Sequence, residues 1–191
     1  LSNSHESFLR TFVPIVLDRM PDNEAEMIIE KALKNGKPKK TISKEAVKEI
    51  LFYSENYPHL IQELGYSSFK MSSGDKIMKE DVKAGLHGNE LYEGSVKKLG
   101  KLFFSKMYAT IRKNQNYKEV LKIISNLSGN ENKWVSRKSI LELSSKKSTS
   151  LDVAMSDLTD KDLIIRNPDK AGEYKMCSKM FQVYISKILT A

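Results

Sequence analysis

Residues 163–177 read "LIIRNPDKAGEYKMC", and this stretch decides the fold of the second half of the chain. Two short runs, "LIIRN" and "EYKMC", flank "PDKAG". There the proline presets φ and the glycine admits the positive φ that a turn needs. The pattern predicts a β-hairpin. Just upstream, "STSLDVAMSDLTDKD" places Leu151, Ala154, Met155 and Leu158 at helical spacing. Further back, "SRKSILELS" reads as a helix capped by Ser136, and "YKEVLKIISNL" as another. Downstream, "KMFQVYISKIL" is again helical. Three helices, a two-stranded wing and a helix give the element order of a winged helix-turn-helix, assigned here to residues 117–191.

The pattern changes at "RKNQN", residues 112–116, which is polar and lacks apolar spacing. Residues 21–113 before it predict a helical bundle. "DNEAEMIIEKALKNG" has acids in its first turn, an apolar face and Gly36 as a stop. "KPKK" is a solvated connector, and "SKEAVKEILFYSEN" offers Ser43 as N-cap. "PHLIQELGYSSF" starts on Pro58, whose missing N–H costs nothing at a first helical position. After the polar turn "SSGDK" come a short helix, "MKEDVKAGLHG", and a longer one over 91–112 with Leu99, Leu102, Phe103, Met107 and Ile111 inward. Residues 1–20 contain Phe12–Leu17, a run that reads as a buried strand whose sheet is expected outside this sequence. The start at Leu1, without methionine, suggests a fragment or a processed product. The expected fold class is mainly α: a helical bundle followed by a winged helix with a small β-hairpin.

Bulk properties bound the function. The 191 residues are 40% apolar and 29% charged, a globular composition. Nothing approaches the ~20 apolar residues that span a bilayer, and no basic-plus-apolar leader opens the chain. One cysteine, Cys177, excludes an internal disulfide framework and fits a cytoplasmic location. His5, His59 and His87 are scattered, so no metal cluster is expected. The net charge of +8 is spread evenly: Lys plus Arg against Asp plus Glu is 19 to 15 over residues 1–116 and 13 to 9 over 117–191. That permits an acidic partner such as nucleic acid without requiring one.

Two motifs are decoys. "NGKPKKT" lacks G-x-x-x-x-G-K-[ST] spacing, and Pro38 removes an amide that would have to cradle phosphate. "VPIVLD" resembles a strand ending in a metal-binding acid, but Arg19 follows Asp18 and no phosphate loop precedes it. The stretch "SENYPHLIQELGY", residues 54–66, carries more. A helix start presents unpaired N–H groups and partial positive charge, which suit an anion. Pro58 rigidifies it, Asn56 tolerates a left-handed turn, and His59 can hydrogen-bond a phosphate or ribose. The same residues also make an ordinary cap with a packed Tyr57.

"SFLRTFVPIVLDRMPDNEAEMIIEKAL", followed by "ISKEAVKEILFYSENYPHLIQELGYSSF", resembles the end of the ATPase core and the helical lid of AAA+/STAND-type ATPases of the archaeal ATPase and origin-initiator-like group. In that group a "G-x-P" turn with a central aromatic continues into "YP-x-x-x-Q-x-x-G", matched here by Asn56-Tyr57-Pro58 and Gln62 to Gly65, and a winged helix commonly follows. The resemblance implies ATP and Mg bound by a core outside this sequence. It implies a nucleotide-sensing role for Asn56, Tyr57, Pro58 and His59, and makes Arg10 a γ-phosphate sensor candidate. This sequence departs from the family in having Asn56 for the glycine and no arginine between Asn56 and Tyr66. With no phosphate loop, it is expected to be inactive as an ATPase alone.

For DNA binding by the winged helix, the candidate cations are Arg137, Lys138, Lys146, Lys147, Arg166 and Lys170. Asp152, Ser156 and Asp157 are expected on the outward face of the third helix, where carboxylates would disfavour base reading, so backbone contact with DNA and docking of a partner protein both stay open. The expected function is the lid and winged-helix region of an ATPase, coupling nucleotide state to DNA or protein binding. The alternative is a non-enzymatic winged-helix DNA-binding regulator with a helical dimerisation domain.

Overall fold

A computed structural model describes residues 19–190 of the chain. The expected strand over 12–17 and Arg10 lie outside the described residues. What is described is mainly helical, with two small sheets.

Helix α1 (Asp22–Asn35) follows Pro21, carries Asp22 and Glu24 in its first turn and ends at Gly36. Strand β1 (Thr41–Ile42) leads into α2 (Lys44–Ser54), where the Ser43 hydroxyl accepts the Ala46 N–H as N-cap. Helix α3 (Pro58–Met71) starts on Pro58, and β2 (Lys76–Ile77) then pairs in parallel with β1. The polar turn expected at 72–76 thus ends in a strand. Two-residue pairing between partners 35 residues apart leaves no periodicity to read. At the start of helix α4 (Lys79–His87) the Asp81 carboxylate accepts the Met78 N–H.

The long helix expected over 91–112 starts later. Residues 88–94 form a closed loop in which Asn89 Oδ1 accepts the Leu91 and Tyr92 amides. Gly88, at φ +76°, permits it; a Cβ there would lie 2.3 Å from the Gly94 nitrogen. Helix α5 (Ser95–Leu99), a π-helical segment (Gly100–Phe104) and α6 (Ser105–Ile111) then run on as one rod. The wider π turn displaces the apolar stripe. Leu102 and Phe103, expected in the core, are 66% and 50% exposed, and Phe104 turns inward instead. Gly100 sits where a Cβ would meet the Tyr184 ring at 2.2 Å, so the rod can approach the last helix only with glycine there.

Helix α7 (Gln115–Ser128) is capped by the Asn114 side chain, which accepts the Asn116 and Tyr117 amides. Strand β3 (Val135–Ser136), α8 (Arg137–Leu143), α9 (Ser148–Asp160), β4 (Ile164–Arg166), β5 (Glu173–Met176) and α10 (Lys179–Thr190) complete the chain. Ser136 caps α8 as expected, accepting the Ser139 N–H. The three strands form an antiparallel sheet in the order β3-β5-β4, with Val135 opposite Tyr174 and Ile164 opposite Met176. The hairpin read from residues 163–177 is present, with an additional strand, β3, on its far edge.

Two apolar cores result. One is built on Ala25, Ile50, Ile61, Leu64, Leu86 and Val96; the other on Leu121, Ile124, Ile140, Leu151, Met155 and Phe181. They are not independent. Met180, on α10, is fully buried in the first core, whereas its neighbour Phe181 is fully buried in the second. Phe104 and Tyr184 pack against both, with ring centroids 5.4 Å apart. Burying Met180 alone contributes about 1.5–3 kcal/mol to holding the halves together.

Candidate functional site

The turn between α2 and α3 is built from two successive left-handed residues, Glu55 at φ 46° and Asn56 at φ 61°. Neither is glycine, so both carry a conformational cost that side-chain contacts offset. Asn56 Nδ2 donates to the Met20 carbonyl at 3.1 Å and to Asp22 Oδ1 at 2.5 Å. The Asn56 carbonyl accepts the Met20 N–H at 3.0 Å. An asparagine here therefore tolerates the turn and also ties the start of α1 to it, which a glycine could not do.

Glu55 reaches in two directions. Its Oε1 faces Arg19 Nη2 at 3.4 Å, while Oε2 accepts the backbone N–H of Lys179 at 2.8 Å. Lys179 is the first residue of α10, so the carboxylate meets the positive end of a helix 124 residues away in sequence. Sequence spacing carries no signal for such a contact.

Around this pair lies an aromatic row. The Arg19 guanidinium sits 5.3 Å from the Tyr57 centroid, Tyr57 is 6.1 Å from His59, and His59 is 5.4 Å from the exposed Phe103. The turn brings Asn56, Tyr57, Pro58 and His59 together on one surface. As an anion site the start of α3 is sparse. Pro58 has no N–H, and the Leu60 and Ile61 amides both donate to the Tyr57 carbonyl. Of the amides that open α3, the His59 N–H is the one with no partner among the described residues. The surface is therefore suited to stacking and to a single hydrogen bond rather than to wrapping a phosphate.

The candidate cations of the C-terminal half divide into engaged and outward-facing groups. Arg137 holds Asp152 in a bidentate pair, Nε and Nη2 each 2.7 Å from a carboxylate oxygen. That pairing lowers the Asp152 pKa and raises that of Arg137. Lys170 pairs with Glu173 at 2.5 Å, Lys138 lies 3.8 Å from Glu142, and Arg166 reaches Ser156 at 3.5 Å. Lys146 and Lys147 are exposed and make no ion pair among the described residues. The acids expected to repel a partner from α9 are occupied instead: Asp152 by Arg137, and Asp157 by the Tyr117 hydroxyl at 2.7 Å. The residues α9 exposes near its start are Ser148, Thr149 and Val153. That face is close to neutral because Arg137, the first residue of α8, cancels its nearest carboxylate.

Cys177 is half-buried, and burial pushes its thiol up to about 11, which makes it unreactive. Among the described residues no three His, Cys, Asp or Glu side chains cluster as a metal site would require, and no helix is long and apolar enough to cross a membrane. Scanned against protein-family models and compared with curated proteins, the sequence matches none.

Proposed function

We propose that this chain is the helical lid and winged-helix region of an ATP-binding AAA+/STAND-type ATPase, and that it couples nucleotide state to DNA binding. The observation that carries the reading is the Glu55 bridge. The residue next to Asn56-Tyr57-Pro58 holds the first amide of α10, so movement of the turn is felt directly by the C-terminal half. The order helix, strand, helix, helix, hairpin over 115–176, with β3 on the edge of the hairpin, supports reading that half as a winged helix.

In this reading ATP and Mg bind a core that precedes residue 20, and the Tyr57-Pro58-His59 surface closes against the nucleotide. Tyr57 and His59 offer flat faces to a base or ribose. Arg10 would lie near the γ-phosphate. Lys146 and Lys147, flanking the start of α9, contact DNA phosphates, and the neutral Ser148–Thr149 face allows close approach.

The test is a chain extended N-terminally through its ATPase core. Its DNA affinity should differ between the ATP-bound and empty forms, and Glu55→Gln should reduce that difference while ATP still binds. The 191-residue chain should show no measurable Mg-dependent ATP binding by calorimetry. Micromolar binding by the chain itself would overturn the reading. If the extended gene encodes no phosphate loop, the chain is instead a non-enzymatic DNA-binding regulator.

A further inference from the structure

A cleft of about 420 Å³ opens in the first half of the molecule, between α1 and α3. Six isoleucines line it: Ile28 and Ile29 of α1, Ile42 of β1, Ile50 of α2, Ile61 of α3 and Ile77 of β2. Ile29, Ile50, Ile61 and Ile77 are buried and form its floor. Ile28 and Ile42, with Phe69 of α3, are half-buried and form its walls. The volume falls within the roughly 300–1,000 Å³ of small-molecule sites, and so does the apolar lining. None of Asn56, Tyr57, Pro58 and His59 lines it, so it is separate from the surface assigned to the nucleotide.

Gly65 keeps the cleft open. It lies in the interior of α3, where glycine is the poorest helix former after proline. Elsewhere packing accounts for such a residue: a Cβ on Gly85 would lie 2.7 Å from the Ser67 backbone, and one on Gly100 meets the Tyr184 ring. Gly65 has no such reason, because a Cβ there would meet nothing within 4 Å. A side chain at this position would project into the cleft instead. The exposed polar side chains of the lining are Lys37, Gln62, Tyr66 and Lys70, and no aspartate or glutamate is among them. The Lys70 ammonium lies 5.6 Å from the Tyr66 centroid, and neither Lys37 nor Lys70 makes an ion pair among the described residues. Glu63, on the same helix, is held by Lys98 at 2.5 Å. The mouth of an apolar cleft therefore carries uncompensated positive charge.

We propose that this cleft binds a small amphipathic anion, an alkyl chain of medium length with a carboxylate head. The isoleucine floor and the space over Gly65 take the chain, and Lys37 and Lys70 attract the head at the mouth. A head left in water avoids the desolvation that a buried carboxylate would suffer, and exposed ammonium groups still favour it. Lysine suits this arrangement, because a point charge on a flexible stem follows a head that has no fixed geometry. A neutral chain of the same length gains the floor and nothing from the mouth, and an alkyl cation meets charge of its own sign. Since α1, α2, α3 and both strands of the small sheet contribute walls, a bound chain adds apolar contact among all of them.

The experiment titrates the 191-residue chain, ¹³C-labelled at its isoleucine methyls, with hexanoate, octanoate, decanoate, octanol and octylamine. Neutral pH, constant ionic strength and concentrations below micelle formation are kept throughout. Saturable shifts are expected at the six cleft isoleucines, while Ile124, Ile140 and Ile185 of the second core stay in place. Affinity should rise about fourfold per added methylene, as burial of a CH₂ group requires. Octanol should bind about fivefold more weakly than octanoate, the difference made by two exposed ion pairs, and octylamine more weakly still. Gly65→Leu, which fills the cleft, should weaken octanoate about tenfold or more with the second-core methyls unchanged. Should that variant not fold, Lys37→Gln/Lys70→Gln, at two exposed positions, must still lower octanoate to the affinity of octanol and leave octanol unaffected. The proposal is overturned by octanol or octylamine binding as tightly as octanoate, or by affinity that does not change with chain length. Full octanoate affinity in a folded Gly65→Leu, shifts spread over both cores, or no saturable shift would each overturn it as well.

Discussion

The turn at residues 54–58 and the turn at residues 144–147 each join two consecutive helices, and they are built on opposite plans. The first bends through two left-handed non-glycine residues and sends side chains to Met20, Asp22, Arg19 and Lys179. The second ends α8 on an extended Ser144 and starts α9 from an extended Lys147. Its polar contacts stay nearby: the Ser144 hydroxyl accepts the Lys146 amide and reaches Glu119 at 3.2 Å. Lys146 and Lys147 face solvent. One turn is committed inward, so displacing it disturbs distant elements. The other leaves its charges outward, where altering them leaves the fold intact. A coupling role suits the first turn and a contact role the second.

The largest break in this comparison is expected at Asn56. Asn56→Ala places a residue that disfavours left-handed backbone at φ 61° and removes two hydrogen bonds. The loss should be about 2–3 kcal/mol in chemical denaturation. Asn56→Gly recovers the backbone term and should lose about 1 kcal/mol less than alanine does. Equal losses would mean that φ at this position is unimportant.

Next in size is Glu55→Gln, which keeps the shape and removes the charge that faces the α10 N-terminus and Arg19. A charged cap at a partly exposed site is worth about 1 kcal/mol. Hydrogen exchange should report the change at the first amides of α10, 124 residues away in sequence and in direct contact with the substituted side chain. Faster exchange confined to residues 54–58 would show that the two regions are not coupled.

A pH scan sharpens the same interface. The Lys179 amine falls from an ordinary 10.5 to about 8 in the folded chain. The unfolded state therefore binds the proton more tightly, and stability must rise with pH from about 8 toward 10.5. Cys177 works against this. Its thiol, raised from 9.0 to about 11, stays protonated in the folded state while the unfolded thiol ionises, so stability falls as pH climbs from 9 toward 11. The clean window is pH 8 to 9. There the wild type should gain stability, and Lys179→Met, having no amine to titrate, should gain measurably less. Matching slopes in urea melts of the two proteins would refute the buried, depressed amine.

How much of this was legible in the sequence follows the range of each interaction. Ser43 and Ser136 as caps, Pro58 at a helix start, Asn56 in a left-handed turn and the hairpin at 163–177 are decisions of neighbouring residues, and each was readable. Leu102 and Phe103 read as core at a constant helical period; the π turn over Gly100–Phe104, where Gly100 lies against Tyr184, breaks that period. The β1–β2 pair, the Glu55–Lys179 bridge and the Arg137–Asp152 pair join residues 15 to 124 apart. None has a local signature, so the cancellation of charge on α9 could not be foreseen from its own sequence. Asp152 looks like an exposed acid until Arg137 is seen beside it.

The smallest effect on the fold is expected at the second turn, and there the comparison becomes a test of contact. Lys146→Glu/Lys147→Glu changes two exposed side chains without an ion pair among the described residues, so stability should move by about 0.5 kcal/mol or less. DNA binding should respond strongly. Each phosphate contact contributes about −0.9 to the slope of log K against log salt. Removing two should therefore flatten the slope by about 1.8. Fluorescence anisotropy over a salt series, with two unrelated duplexes, measures this directly. Because Arg137 is already spent on Asp152, backbone contact through these lysines should dominate and both duplexes should bind with similar affinity. A strong preference for one duplex would show that the Ser148–Thr149–Val153 face reads bases. An unchanged slope in the double variant would move the contact away from this turn altogether, and the outward-facing lysines would then have no part in holding DNA.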